Sequence, residues 1–107
     1  MRRLLFICSR NRLRSPTAEQ LFADWPDVET DSAGLAPDAE TPLEAEQVYW
    51  ADVIFVMERS HRSKLGQKFK QQLKGKKLVC LDIPDNYAFM QPELVALLGK
   101  RVAPHLT

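Results

Sequence analysis

Leu4-Leu5-Phe6-Ile7-Cys8-Ser9-Arg10-Asn11-Arg12-Leu13-Arg14-Ser15-Pro16 is the stretch on which the fold turns. Its first part is apolar without alternation, the pattern of a strand buried on both faces in a parallel sheet, and a strand over 2–7 is expected. After Pro16, residues Ala18, Leu21, Phe22 and Trp25 fall at i, i+3, i+4 and i+7, one stripe of a helix that Pro26 ends. Pro16 suits the first helical position and Ser15 the N-cap. Between strand and helix lies a tight loop with a cysteine at its start and an arginine at its end. Loop N–H groups and the helix N-terminus would hold a tetrahedral oxyanion there, with Ser9, Arg10, Asn11, Arg12 and Leu13 around it. Arg14 would clamp two of its oxygens with its planar fork, and the same positive field favours Cys8 as a thiolate nucleophile. The Ser15 hydroxyl could serve the thiolate instead of, or as well as, the helix end. Asn11 tolerates the left-handed backbone that so tight a loop demands.

Outward from this loop the pattern repeats. Val28–Asp31 reads as a short acidic edge strand, and Ser32-Ala33-Gly34 as a turn into a loop over 35–40. Ser32 could hydrogen-bond Asn11 or the loop backbone. Thr41-Pro42-Leu43-Glu44 has the form of a capping box for a helix ending near Ala51, with Leu43, Val48 and Trp50 inward. Val53-Ile54-Phe55-Val56 is a third buried strand. A basic helix follows, with Leu65, Phe69 and Leu73 on one face, His61 at its start and Gly75 as its stop. Leu78-Val79-Cys80-Leu81 is a fourth strand, with Cys80 a buried apolar member. Gln91-Pro92-Glu93 opens a last helix with Leu94, Leu97, Leu98 and Val102 inward, and His105 lies in the tail. Four strand–helix units specify an α/β protein, one domain over 1–107, with a parallel sheet and helices on both faces. Ligands bind such folds beyond the C-terminal strand ends, so Cys8, Ser32, Met57 and Asp85 are expected at one mouth.

Charge is segregated along the chain. Residues 1–14 hold five arginines and no acid, 15–52 ten acids and no Lys or Arg, and 59–77 eight Lys or Arg and no acid. The last run reads either as a solvated helix face or as a basic rim that steers a polyanion to the loop. Only Phe69 interleaves with its lysines, so base stacking on nucleic acid is unsupported. No apolar run reaches transmembrane length, and the short run before Arg10, Arg12 and Arg14 is no export signal. Two cysteines without zinc spacing suit a reducing cytoplasm.

A phosphoryl group held in the loop could be attacked in line by Cys8. Asp82 and Asp85, both beyond strand four, are the candidate proton donors to the leaving oxygen. Loop amides and Arg14 supply the electrostatic stabilisation, so neither metal nor cofactor is expected.

Cys8 to Pro16 resembles the phosphate loop of the low-molecular-weight protein tyrosine phosphatases, a family that includes one class of arsenate reductases. The family's C-x-x-N-x-x-R-S-P pattern is met by Cys8, Asn11, Arg14, Ser15 and Pro16. Asp31-Ser32-Ala33-Gly34 is similar to the family's turn whose serine braces the loop asparagine. Met57-Glu58-Arg59-Ser60-His61 is similar to its Met-acid-x-x-His strand end, and Ile83-Pro84-Asp85-Asn86-Tyr87 to its Asp-Pro-Tyr acid loop. The resemblance implies a four-stranded parallel sheet in order 2-1-3-4. It implies Cys8 as nucleophile, Arg14 as phosphate ligand, Ser15 as aid to the thiolate, Asp85 as general acid, and Asn11 and Ser32 as supports of the loop.

The departures bear on substrate. Arg10 stands for the usual glycine, Arg12 for an apolar residue of the aryl pocket, Leu13 for the second cysteine of many eukaryotic members, and Asn86 for proline. The chain resembles a compact bacterial branch of predicted tyrosine phosphatases. Tyr87 and Leu35 are the candidate walls for a phenyl ring. Two added arginines point beyond phosphotyrosine to a substrate with further negative charge, such as a nucleotide, an RNA end or an acidic phosphopeptide. The competing readings are an arsenate reductase, for which Cys80 would be the only second thiol, and a phosphate-binding module without turnover.

Overall fold

Residues Leu4 to Ile7 are fully buried because both faces of their strand are covered. In a computed structural model describing residues 1–106, this strand, β1 (Arg2–Cys8), is one of the two central strands of a four-stranded parallel sheet. The others are β2 (Val28–Gly34), β3 (Val53–Val56) and β4 (Lys77–Cys80), in the expected spatial order 2-1-3-4. The helices are α1 (Arg14–Phe22), α2 (Ala45–Trp50), α3 (Arg59–Lys68) and α4 (Pro92–Val102), and a short 3-10 turn spans Ala103–His105. Leu4, Phe6 and Cys8 face a core with Ala18 and Phe22 of α1 and Leu94, Leu98 and Val102 of α4. Leu5 and Ile7 face a second core with Val48 of α2 and Leu65 of α3. Phe6 is stacked between Phe22 and Phe55, with ring centroids 5.9 and 5.2 Å away. Burying a side chain of this size stabilises the fold by about 1.5–3 kcal/mol. Among the described residues no helix is long and apolar enough to cross a membrane.

Several local expectations need correction. Ser32-Ala33-Gly34 does not turn; it continues β2, with Ser32 in register with Phe6 and Gly34 with Cys8. Gly34 is there because a Cβ would stand 2.6 Å from the Ala39 Cβ and 2.7 Å from the Ser9 carbonyl oxygen. Residues 41–43 run beside Gly34, bridging it through Pro42, so the helix starts later. Glu44 is the N-cap of α2, in a capping box with Gln47. The third helix ends at Lys68, where the Phe69 N–H still bonds the Leu65 carbonyl; Gly75, at φ +77°, shapes the turns beyond it. Cys80 is half-buried, because β4 ends the sheet.

Several cations of the 59–77 run are occupied locally. Arg62 donates to the Leu78 carbonyl, and Lys76 to the carbonyls of Tyr49 and Ala51, which close the C-terminal end of α2. Arg59 lies 3.7 Å from Asp82. Farther along, Arg101 donates to the carbonyls of Leu81 and Asp82.

Candidate active site

The loop between β1 and α1 is five residues long, and Asn11 turns it at φ +58°. That turn brings the Asn11 backbone N–H to 3.2 Å from Cys8 Sγ. Ser15 Oγ lies 2.9 Å from the same sulfur. The Asn11 side-chain amide donates to Ser15 Oγ at 3.0 Å and to Ser32 Oγ at 2.9 Å. Ser15 therefore has its own proton left for the sulfur, and Ser32 passes its proton to the Glu19 carboxylate in a short contact. Asn11 thus donates both ways, through Ser32 towards Glu19 and through Ser15 towards Cys8, and the polar members of this network other than Glu19 are almost fully buried. Ser15 is not the helix cap: α1 begins one residue earlier, and Thr17 Oγ1 closes the first turn on the Leu13 carbonyl at 2.6 Å. The local cap loses to the tertiary partners, Cys8 and Asn11.

Arg14 is only 2% exposed, and three groups orient it. Its Nη1 is 2.7 Å from Glu58 Oε2 and donates to the Ile83 carbonyl at 2.8 Å; its Nε is 3.6 Å from Asp85 Oδ1. Glu58 caps α3, and His61, three residues on, accepts the Glu58 backbone N–H at Nδ1. The His61 proton therefore sits on Nε2, which donates to Ser9 Oγ at 3.0 Å. Burial lowers the His61 pKa below its ordinary 6.5, the nearby Arg14 adding to the effect and Glu58 opposing it. His61 is thus a structural residue of the helix start that also holds the phosphate loop. The sequence assigned no site role to Glu19 or Glu58, and it showed His61 as a structural residue of a helix start without its bond to Ser9. Their signal was positional: an acid directly after β3, a histidine three residues on, and an acid one turn into α1.

A cleft of about 390 Å³ opens over the loop. Cys8, Ser9 and Arg14 line it together with Asp85, and Arg10, Arg12 and Leu13 complete its wall. Cys8 and Asp85 do share one mouth. Ser32 stands behind the loop and acts through Asn11, while Met57 is buried in the core with Phe55 and Ile83. Asp82 lies outside the cleft, paired with Arg59 and accepting the Cys80 thiol at 3.5 Å. Tyr87 and Leu35 are not cleft walls: each packs against a core, Tyr87 on the α1–α4 side and Leu35 on the other. Nor does any cation of the 59–77 run line the cleft, because α3 covers the opposite core. Arg10 and Arg12 do line it, each beside an acid of the 35–40 loop: Arg10 is 3.8 Å from Asp38 and Arg12 3.6 Å from Glu40. His105 is more than tail, its ring meeting Phe55 edge-on. Among the described residues no three His, Cys, Asp or Glu side chains are grouped to hold a metal ion.

No protein-family profile and no curated protein sequence matches the chain. Solved structures do. The YwlE arginine phosphatase from Geobacillus stearothermophilus aligns over 99% of this chain and 93% of its own, with TM-score 0.79 and 24% identity. The tyrosine phosphatase Wzb from Escherichia coli, solved with phosphate, aligns over 98% of both chains, with TM-score 0.78 and 23% identity. The low-molecular-weight protein tyrosine phosphatase from T. tengcongensis aligns over 97% of this chain and 99% of its own, with TM-score 0.76 and 23% identity. The chain therefore has the fold of the low-molecular-weight protein tyrosine phosphatases, as the Cys8 loop led one to expect.

Proposed function

We propose that the protein is a metal-independent, cysteine-dependent phosphatase acting on phosphate monoesters: protein phosphotyrosine or another anionic phosphomonoester such as a nucleotide or an RNA end. One observation carries this reading. The Cys8 sulfur receives the Asn11 N–H and the Ser15 hydroxyl at the floor of a cleft that also holds Arg14 and Asp85. Two donors aimed at sulfur stabilise a thiolate. The thiolate attacks phosphorus in line; the S–P bond forms as the P–O bond to the leaving group breaks. Arg14 and the loop amides of Ser9, Arg10, Arg12 and Leu13 stabilise the equatorial oxygens. Protonated Asp85 gives its proton to the leaving oxygen. Water then attacks the cysteinyl-phosphate and yields a proton to the Asp85 carboxylate. The S–P bond breaks, and thiolate and inorganic phosphate are released.

The fold shared with the YwlE arginine phosphatase and the tyrosine phosphatase Wzb supports this reading. An arsenate-reducing relay would need a second thiol beside Cys8, and Cys80 stands on β4 with β3 in between.

The test is p-nitrophenyl phosphate turnover in EDTA, for wild type, Cys8→Ser and Asp85→Ala. Turnover should persist with EDTA, fall by about 10⁴-fold or more in Cys8→Ser, and fall less in Asp85→Ala, because nitrophenolate leaves with little protonation. An inactive wild type, against this substrate and against nucleotide and RNA phosphates, would favour a phosphate-binding module.

A further inference from the structure

The Arg10 and Arg12 side chains have no role in the chemistry just described, yet both residues line the cleft. Their only carboxylate partners among the described residues are Asp38 and Glu40, and neither acid lines the cleft. The two pairs are loose. Each is a single contact, at 3.8 and 3.6 Å, longer than a charge-assisted hydrogen bond, and all four side chains are more than half exposed. Neither guanidinium donates a side-chain hydrogen bond within the described chain, so both forks have donors free for a ligand.

The backbone beneath these pairs is anything but loose. The Leu35, Ala36 and Glu40 N–H groups bond the carbonyls of Cys8, Ser9 and Arg10 at 3.0, 2.8 and 3.1 Å. The 35–40 loop is thus pinned against the phosphate loop at three points. Only the side chains at its rim are free to exchange partners. An exposed single-contact ion pair contributes about 0–1 kcal/mol. A phosphate or carboxylate taken bidentately by an arginine fork is held more strongly than that.

We propose that the Arg10–Arg12 rim is a second anion subsite, so that the cleft takes phosphomonoesters bearing a further phosphate or carboxylate, which replaces Asp38 and Glu40 as the partner of the two arginines. This rests on the phosphatase reading for the seat of the first phosphoryl group and adds a selectivity to it. Asp38 and Glu40 then act as placeholders: they keep the guanidinium groups at the mouth and offset their charge until a doubly charged ligand arrives.

The experiment is calorimetric titration with three non-hydrolysable probes: benzylphosphonate, 1,3-xylylene bisphosphonate and 3-(carboxymethyl)benzylphosphonate. The variants are Arg10→Gln/Arg12→Gln and Asp38→Asn/Glu40→Gln. In wild type the second anionic group should tighten binding by about tenfold at low salt, less at high salt. The ratio of doubly to singly charged affinity should fall towards one in the arginine variant and rise in the acid variant. The bisphosphonate and carboxymethyl arms tell whether phosphate or carboxylate is preferred. Equal affinity for all three probes in wild type, or a ratio unmoved by loss of both arginines, would overturn the proposal. A uniform weakening of all three in the arginine variant would overturn it too, and would mean that the forks stack on the ring. p-Nitrophenyl phosphate turnover of the same wild-type preparation is followed in parallel. Its absence, together with inactivity against nucleotide and RNA phosphates, would sink the phosphatase reading, while the affinity ratio would still decide whether the second subsite exists.

Discussion

The phosphate loop has an inner side and an outer side, and they are built on different principles. Inward, Asn11, Arg14 and Ser15 are at most 6% exposed, and Asn11 and Ser15 make hydrogen bonds of 2.9–3.2 Å to Cys8, Ser32 and each other. Outward, Arg10 and Arg12 are more than half exposed and meet their acids at 3.6–3.8 Å. Water cannot replace a lost partner on the inner side, so each deletion leaves a buried group unsatisfied. On the outer side water is always the alternative partner. One loop thus combines a wall that fixes where the sulfur and its protons sit with a rim whose charges can change partners.

The largest effect on this contrast should come from Asn11. Asn11→Ala removes both amide donors and places alanine at a positive φ, and should cost about 2–4 kcal/mol of stability by denaturant melt, with a deep loss of turnover. Asn11→Gly relieves the backbone alone; it should recover stability in part but not turnover. A fully active Asn11→Gly would break the claim that the inner hydrogen bonds set the chemistry.

His61 is next. Its folded pKa is lowered, so the unfolded chain binds the extra proton first. The contribution is absent well above 6.5, and stability is lost as pH falls through the unfolded value towards the folded one. His61→Gln keeps an acceptor for the Glu58 N–H while removing the titration. Its loss of the Ser9 bond should cost about 1 kcal/mol at a pH of about 7.5. Melting curves from there down to a pH of about 5 should show a shallower slope than wild type; an identical slope would assign the acid sensitivity elsewhere.

The smallest effect belongs to the rim. Asp38→Asn/Glu40→Gln should shift stability by no more than about 1 kcal/mol. A larger loss in a thermal melt would mean that the outer pairs are structural, and the contrast between the two sides would blur.

The sheet was legible in the sequence wherever burial alone dictates residue type. The unalternating runs of β1 and β3 are apolar because helices cover both faces, and α4 carries its stripe of Leu94, Leu98 and Val102 in plain view. Cys8 and Arg14 stood out because a thiol and a guanidinium bracketing a tight loop have few other uses in concert, whereas Asp85 was singled out over Asp82 only by the family resemblance; all three line one cleft. What stayed hidden was set by distant partners. For Ser15 the sequence left two uses open, helix cap or partner of the thiolate, and the nearness of Cys8 and Asn11 decides for the second. Gly34 reads as a turn residue until the Ser9 carbonyl and Ala39 are seen closing on it. Tyr87 has the right chemistry for an aryl wall but packs into a core. Glu58 and His61 look like an ordinary helix start and Glu19 like an ordinary helix residue, and nothing near them in the chain announces Arg14, Ser9 or Ser32 as the groups they hold.

The arginines laid along β4 have a consequence outside catalysis. A parallel sheet that ends in a strand offers its outer backbone to any other extended chain, which is how soluble proteins zip into fibres. Here Arg62 occupies the Leu78 carbonyl, and Arg101 occupies those of Leu81 and Asp82 just beyond the strand. A strand arriving from a neighbouring molecule would have to displace these guanidinium groups. Part of the positive charge on the 59–77 run, at Arg62, thus closes a backbone acceptor of the last strand.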